Sequence, residues 1–172
     1  MATAPDEDKD KDKPRPLTVR CQCGRVSFPA AAGAAPLTIY HCHCAECRRQ
    51  SGSAFGTSAI FAAADVLPSP LLAAEATAAA AAAGTAATGL RKYTRDTESG
   101  NTMDCYFCGE CGSRLFHRVV GGDGVPRPTV SVKGGCVEGL EWKGGKHIYV
   151  RSAVMEIPAE WEAYETLPPE MK

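Results

Sequence analysis

Nine cysteines constrain this chain more than any other sequence feature, because seven of them fall into three short motifs. The motifs are CQC at Cys21 and Cys23, CHCAEC at Cys42, Cys44 and Cys47, and CGEC at Cys108 and Cys111. Such spacings suit metal ligands better than disulfide partners. The first residues contain no apolar stretch of the kind that a secretory signal needs. We therefore expect a cytoplasmic or nuclear location, where thiols stay reduced.

The composition indicates that apolar packing alone would hold this fold weakly. Leu, Ile, Val and Phe total 29 of 172 residues, which is low for a globular domain. The net charge of -1 gives no basic field for nucleic acid, and no apolar run approaches the roughly 20 residues that span a bilayer. We expect a single domain without nucleic-acid or membrane partners, in which bound metal contributes to folding.

Short runs with β-like alternation, separated by Gly, Pro, Asn or Asp, predict a mainly β domain over residues 17–172. Residues 1–16 carry nine charged residues and three prolines, so we expect a disordered, solvated tail. Residues 71–89 contain 11 alanines, and we interpret them as a low-complexity insertion in a surface loop, either a loosely held helix or disordered.

The first and third motifs together predict a structural zinc site. Cys21 and Cys23 would supply two thiolates, and Cys108 and Cys111 two more. Four sulfurs about 3.8 Å apart surround a tetrahedral zinc, and both spacings can reach that separation. The alternative is that these cysteines are buried thiols that pack as small hydrophobic side chains.

The second motif differs, because Cys42, Cys44 and Cys47 have no partner pair to complete four ligands. A CxCxxC loop can hold three corners of a tetrahedron, and three protein ligands with one open vertex are typical of a catalytic zinc. The alternative is that His41 or His43 supplies a fourth ligand and closes the site.

Two cysteines remain outside these sets. Cys105 makes a CxxCxxC run with Cys108 and Cys111, but the fourth cysteine and the proline of an iron–sulfur run are missing. Strand alternation instead predicts that Cys105 packs in the core with Met103 and Phe107. Cys136 has no spacing partner, and we interpret it as a spare thiol.

A zinc ion held by three thiolates is a weak Lewis acid but a good acceptor for a further thiol, which it would deprotonate. The sequence therefore predicts addition of a thiol to an electrophile such as an aldehyde, or cleavage of a carbon–sulfur adduct. Glu46 lies between two ligands and is a candidate proton shuttle. The candidates for binding a charged thiol follow directly and are Arg48, Arg49, Ser51 and Ser53.

The order VRCQCGRVSF, HCHCAECRRQSGSAF, FCGECGSRLF and HIYVRSAV resembles the glutathione-dependent formaldehyde-activating enzyme family, which also includes centromere protein V. The resemblance runs from about Val19 to Pro158 and omits the tail and the Ala-rich insertion. It implies the two-sheet β-tent zinc fold. It also implies that Cys21, Cys23, Cys108 and Cys111 bind a structural zinc, and that Cys42, Cys44 and Cys47 bind a catalytic one. The implied reaction joins formaldehyde to glutathione, a carbon–sulfur lyase reaction in reverse.

Two further functions compete with this enzyme. The same zinc–thiol chemistry could act on a larger specialised metabolite, with the Ala-rich insertion over the pocket. Alternatively, both zinc ions are structural and the protein is a non-catalytic scaffold or binding module. A zinc deaminase is disfavoured because no HxE motif precedes a CxxC.

Overall fold

The computed structural model describes residues 16–74 and 89–169. The predicted disordered tail lies outside these ranges except for Pro16, and so do residues 75–88 of the predicted insertion. Within these ranges, no helix combines the length and the hydropathy of a membrane span.

Short strands are the main regular elements of the described chain, with three short α-helices and two 3₁₀ turns between them. The strands are β1 (Thr18–Arg20), β2 (Ser27–Pro29), β3 (Thr38–Cys42), β4 (Gly56–Ala62), β5 (Leu90–Asp96), β6 (Thr102–Cys108), β7 (Arg114–Val120), β8 (Thr129–Lys133), β9 (Val137–Glu138), β10 (Lys146–Ile148) and β11 (Ala163–Tyr164). The helices are α1 (Ala45–Ser51), α2 (Ala63–Val66) and α3 (Ser69–Ala74), and the 3₁₀ turns are Gly134–Cys136 and Val150–Ser152.

The described strands form two sheets, which confirms the predicted mainly β, two-sheet architecture. The smaller sheet has the order β2-β1-β9, and the larger has the order β11-β10-β3-β4-β8-β7-β6-β5. All pairs are antiparallel except that β10 runs parallel to both of its neighbours, β3 and β11. Its partner β3 lies about a hundred residues earlier in the chain, so this pairing depends on long-range contacts rather than on a local turn.

The large sheet has two chemically different faces, and β3 shows both of them. Ile39 belongs to the main apolar core, which also contains Val19 and Phe28 of the small sheet. Tyr40 and Cys42 point to the other face, where they pack with Ile148 in a second, smaller cluster. Because successive side chains of a strand alternate, these two faces carry separate sets of functional side chains.

The side chains of β6 lie on the opposite faces of the sheet from those that the sequence predicts. The predicted core residues are Met103, Cys105 and Phe107. Instead, Tyr106 enters the main core, where its ring stacks on Phe116 with centroids 4.5 Å apart. Cys105 is buried, but on the face that also carries the second cluster. Alternation separates the faces of a strand but does not identify the core face when both are covered, and this explains the error.

The described start of the predicted Ala-rich insertion belongs to the domain. Residues 71–74 are the last turn of α3, and Leu71 is buried in the main core with Val66 and Leu67. Leu72 packs partly against the same cluster. The helix therefore docks through the two large side chains that precede the alanines.

Replacing Leu71 with Ala should lower the free energy of unfolding by about 2–5 kcal/mol, because it leaves a cavity in the core. Urea denaturation measures this change. Leu37, which is 66% exposed, offers a matched control, and its replacement with Ala should change stability by less than about 0.5 kcal/mol. Equal, small effects at both positions would show that α3 does not dock as described.

Candidate metal centres

The structure brings the four predicted cysteines of the first site together. The Sγ atoms of Cys21, Cys23, Cys108 and Cys111 all lie within 4.8 Å of one another. Cys23 Sγ is 3.6 Å from Cys21 Sγ and 3.8 Å from Cys108 Sγ. These separations match the roughly 3.8 Å between sulfurs around a tetrahedral zinc, so the donor set and its geometry fit such an ion.

Two tight turns hold these sulfurs in place. In the first, the Val26 amide donates to Cys21 Sγ at 3.2 Å, and Gly24 has a positive φ of 77°. In the second, the Gly112 amide donates to the Cys108 carbonyl at 3.0 Å, again at a positive φ of 74°. Glycine adopts these left-handed conformations without the strain that other residues carry. Donors to sulfur favour the thiolate, the form that binds metal.

The four-cysteine site joins distant parts of the chain. Cys21 and Cys23 follow β1 of the small sheet, whereas Cys108 ends β6 of the large sheet. Cys21 and Cys108 are buried in the main core, and Cys23 is exposed. A metal ion here would link the two sheets at the edge of their common core, and its binding energy would contribute to folding.

The second motif forms the junction of a strand and a helix rather than a simple loop. Cys42 ends β3, Cys44 caps the N-terminus of α1, and Cys47 lies in its first turn. Their three Sγ atoms lie within 4.8 Å of one another. The Cys47 amide donates to Cys44 Sγ at 3.4 Å. Three thiols therefore converge on one point from a rigid framework.

The three thiols hydrogen-bond with one another, so the protonation of each one affects the pKa of the others. Hydrogen bonds from Cys42 and Cys47 lower the pKa of Cys44 to about 2, whereas hydrogen bonding to Cys44 raises the pKa of Cys42. These hydrogen bonds favour the thiolate form at Cys44. Soft thiolate ligands of this kind favour zinc, copper(I) or iron–sulfur centres over magnesium or calcium.

The nearby histidines turn away from this site. His43 is fully buried, and its Nε2 lies 2.9 Å from Nδ1 of His147. His41 Nδ1 lies 2.9 Å from the Thr57 hydroxyl, and burial lowers the pKa of His41 to about 4. Among the described residues, no histidine or carboxylate joins the three-cysteine group. The alternative of a closed site with three cysteines and one histidine therefore has no support in this geometry.

The predicted substrate-binding side chains lie on α1 and in the turn that follows it. Glu46 and Arg49 form an exposed ion pair with each other. Ser51 donates to the Cys47 carbonyl at 2.8 Å, and Ser53 donates to the Phe55 carbonyl. These hydroxyls therefore stabilise the end of α1 and the following turn. Arg48 is half-buried, and its Nε atom has no hydrogen-bond partner.

Two residues on the three-cysteine face, Lys133 and Tyr149, were not predicted from the sequence as part of a site. Lys133 donates from its ammonium group to the Ser58 hydroxyl at 2.9 Å and interacts electrostatically with Cys47 and Cys42. Burial lowers the Lys133 pKa, while those thiolates oppose the shift. Tyr149 packs in the second cluster at a strained positive φ of 57°, and burial raises its pKa. In the sequence, Lys133 follows the alternating residues Val130, Ser131 and Val132, a pattern that indicates a solvent-exposed position on a strand.

The two remaining cysteines join neither group. Cys105 lies directly opposite His117 in the β6–β7 ladder and outside the four-cysteine group, so the described residues form no CxxCxxC cluster. His117 is buried, its Nε2 atom has no hydrogen-bond partner, and burial lowers its pKa well below the usual value. Cys136 is half-buried and its thiol donates to the Arg114 carbonyl at 3.4 Å.

Replacing Cys108 with Ser should destabilise the whole domain by several kcal/mol, because it removes a ligand from the site that joins both sheets. Replacing Cys44 with Ser should remove bound metal from one site and leave the domain folded. Metal content and urea denaturation of the two variants measure the difference.

The matched control is Cys136→Ser, which should retain the metal and the stability of the parent. If Cys44→Ser unfolds as readily as Cys108→Ser, the division into a structural and a functional site is wrong.

The arrangement of both cysteine groups agrees with the comparison to known protein families. The family described as glutathione-dependent formaldehyde-activating enzyme matches residues 16–152, which include all seven clustered cysteines. A comparison with curated proteins gave no match. Because the family match spans most of the sequence, this chain belongs to the glutathione-dependent formaldehyde-activating enzyme family.

Proposed function

We propose that this chain is a zinc-dependent enzyme of the carbon–sulfur lyase type. It binds a thiol such as glutathione at the three-cysteine site and adds it to, or releases it from, a small aldehyde such as formaldehyde. The observation that carries the proposal is the convergence of three thiols without a fourth protein ligand among the described residues. The four-cysteine group supports the proposal, because it can serve as the structural metal site and leaves the three-cysteine group free for another role.

The chemistry requires a thiol to lose its proton at neutral pH. A zinc ion in the three-cysteine group would take an incoming thiol as its fourth ligand and favour the thiolate form. The contribution of the chain is a fixed geometry, since Cys42 is held by the end of β3 and Cys44 and Cys47 by α1. Reduced thiols are required throughout, so we assign the protein to the cytoplasm.

Lys133 is our candidate for balancing the negative charge of the three-cysteine site. Its ammonium group is held by Ser58 and interacts with Cys47 and Cys42, so it offsets the negative charge of the thiolates. It also offers a cation to a carboxylate of the thiol substrate. Arg48, with its unpartnered Nε, is a second candidate for the same carboxylate, whereas the predicted substrate contacts of Arg49, Ser51 and Ser53 stay predictions.

The addition also needs a proton donor. When a thiolate sulfur bonds to the carbonyl carbon of an aldehyde, the carbonyl oxygen becomes an alkoxide and must take up one proton. Tyr149 interacts electrostatically with Cys42 and Cys44, and its raised pKa keeps the phenol protonated at neutral pH. We assign it the donor role. The proton shuttle predicted for Glu46 stays a prediction, because its carboxylate pairs with Arg49.

The protein should accelerate the interconversion of glutathione and formaldehyde with S-hydroxymethylglutathione. The adduct also forms without an enzyme, so the measurement is the exchange rate of isotopically labelled formaldehyde by nuclear magnetic resonance. Cys44→Ser should lose more than about 100-fold in rate, since even changes behind the ligands of a metal cost about 10–100-fold.

Cys136→Ser serves as the control and should keep the parental rate. An unchanged rate in Cys44→Ser would contradict the proposal. Absence of exchange in the parent protein, with both metal sites filled, would exclude formaldehyde and glutathione as its substrates.

Replacing Lys133 with Met should raise the KM for glutathione by about tenfold or more, because a charge-assisted hydrogen bond contributes about 1.5–3 kcal/mol. The KM for 2-mercaptoethanol, which has no carboxylate, should change little. Lys92 pairs with Asp104 at 2.9 Å on β5 and β6, and its Met variant is the matched control. Equal losses with both thiols would assign Lys133 to folding or metal binding and not to substrate recognition.

A further inference from the structure

A cleft of about 450 Å³ lies at the end of the large sheet, apart from both cysteine groups. Its lining includes His41, Phe55, Trp142, His147, Glu160 and Trp161, and we refer to it as the tryptophan cleft. Its volume is within the range of small-molecule sites. Trp142 and Trp161 are 56% and 39% exposed, which is unusual for such large apolar side chains.

The tryptophan cleft and the three-cysteine site lie on opposite faces of the large sheet. His41 immediately precedes Cys42 in β3, so their side chains point to opposite sides. His147 and Ile148 repeat this relation on the neighbouring strand β10, where Ile148 packs with Cys42. A ligand in the cleft would therefore not occupy the place of the thiol substrate.

Aromatic rings form the inner surface of the cleft. The His147 ring stacks on Trp161, with centroids 4.4 Å apart and an interplanar angle of 19°. Phe55 meets the same imidazole at an angle of 71° and a distance of 5.8 Å. Trp142, also in the lining, packs against Gly134, where a Cβ atom would clash with the indole. The cleft is thus preformed and presents π-electron density.

The charges of the cleft favour a cation. The described lining contains the carboxylates of Glu160 and Glu162 and no lysine or arginine. Glu162 pairs with Lys146 at 3.3 Å, whereas Glu160 is exposed at the rim. Burial lowers the pKa of His147, so its ring is neutral at physiological pH. An anionic ligand would find no lysine or arginine among the described lining residues.

We propose that the tryptophan cleft binds a small organic cation that carries a trimethylammonium group. Indole rings attract such cations most strongly among the aromatic side chains, by about 0.5–2 kcal/mol for each favourable contact. A quaternary ammonium group donates no hydrogen bonds, so it loses less on entering a ring-lined cleft than an ammonium ion whose N–H donors would be left unpaired. Glu160 adds long-range attraction at the rim.

The sequence makes this binding directly observable, because the only two tryptophans of the chain both line the cleft. Titration of the full chain with choline should produce a saturable change in tryptophan fluorescence. The neutral isostere 3,3-dimethyl-1-butanol has the same shape without the charge and should bind at least about tenfold more weakly. Equal affinity for the two, or no saturable change with choline, would overturn the proposal.

Variants locate the binding. Trp161→Ala retains Trp142 as the reporter and should weaken choline binding at least about fivefold. Glu160→Gln, at an exposed position where folding is undisturbed, should weaken it at least about twofold. Tyr93→Ala removes a ring of 56% exposure on β5 and should leave the affinity unchanged. Parental affinity in both Trp161→Ala and Glu160→Gln would reject this cleft as the site.

The inference stands apart from the proposed enzyme activity. Cys44→Ser should bind choline with the parental affinity, because the three-cysteine site faces the other side of the sheet. A protein that binds choline but does not accelerate the formaldehyde reaction would support the cleft and contradict the proposed function. The reverse result would contradict the cleft alone.

Discussion

The convergence of Cys21, Cys23, Cys108 and Cys111 is the constraint on which the rest of the structure depends. Leu, Ile, Val and Phe total only 29 of 172 residues, and several strands beside the main core have only two or three residues. Short strands of this kind are marginal without further support. Four sulfurs at metal-binding distances connect the turn after β1 with the end of β6, so an ion there would supply the cross-link that the apolar area does not.

The far side of the large sheet carries the second cysteine group. One face of β3 closes the core through Ile39, and the other presents Cys42 to the start of α1. The polar residues gathered on this second face, among them Lys133 and Tyr149, would be costly to bury beside the core but can serve a charged thiolate site. The two cysteine groups, which differ in composition, therefore lie on different sides of the large sheet.

Much of this arrangement could be predicted from the sequence, because the cysteine spacings and the strand alternation are local signals. The two ligand groups and the mainly β class follow from them, whereas the two-sheet arrangement is implied by the family resemblance. The core face of β6 could not be predicted, since both faces of that strand are covered. The position of Lys133 and the tryptophan cleft depend on non-local pairing. Strand β10 joins β3 only in the folded chain, and this brings His147 and Trp161 to His41.

The central claim, one complete and one open sulfur site, is tested most directly by zinc X-ray absorption of the protein with two zinc ions bound. The account predicts a mean of about 3.5 sulfur ligands per zinc in the resting protein, which rises to about 4 when glutathione is added. The increase should disappear in Cys44→Ser. A mean of about 4 sulfurs before the thiol is added, or a spectrum that no thiol changes, would contradict it.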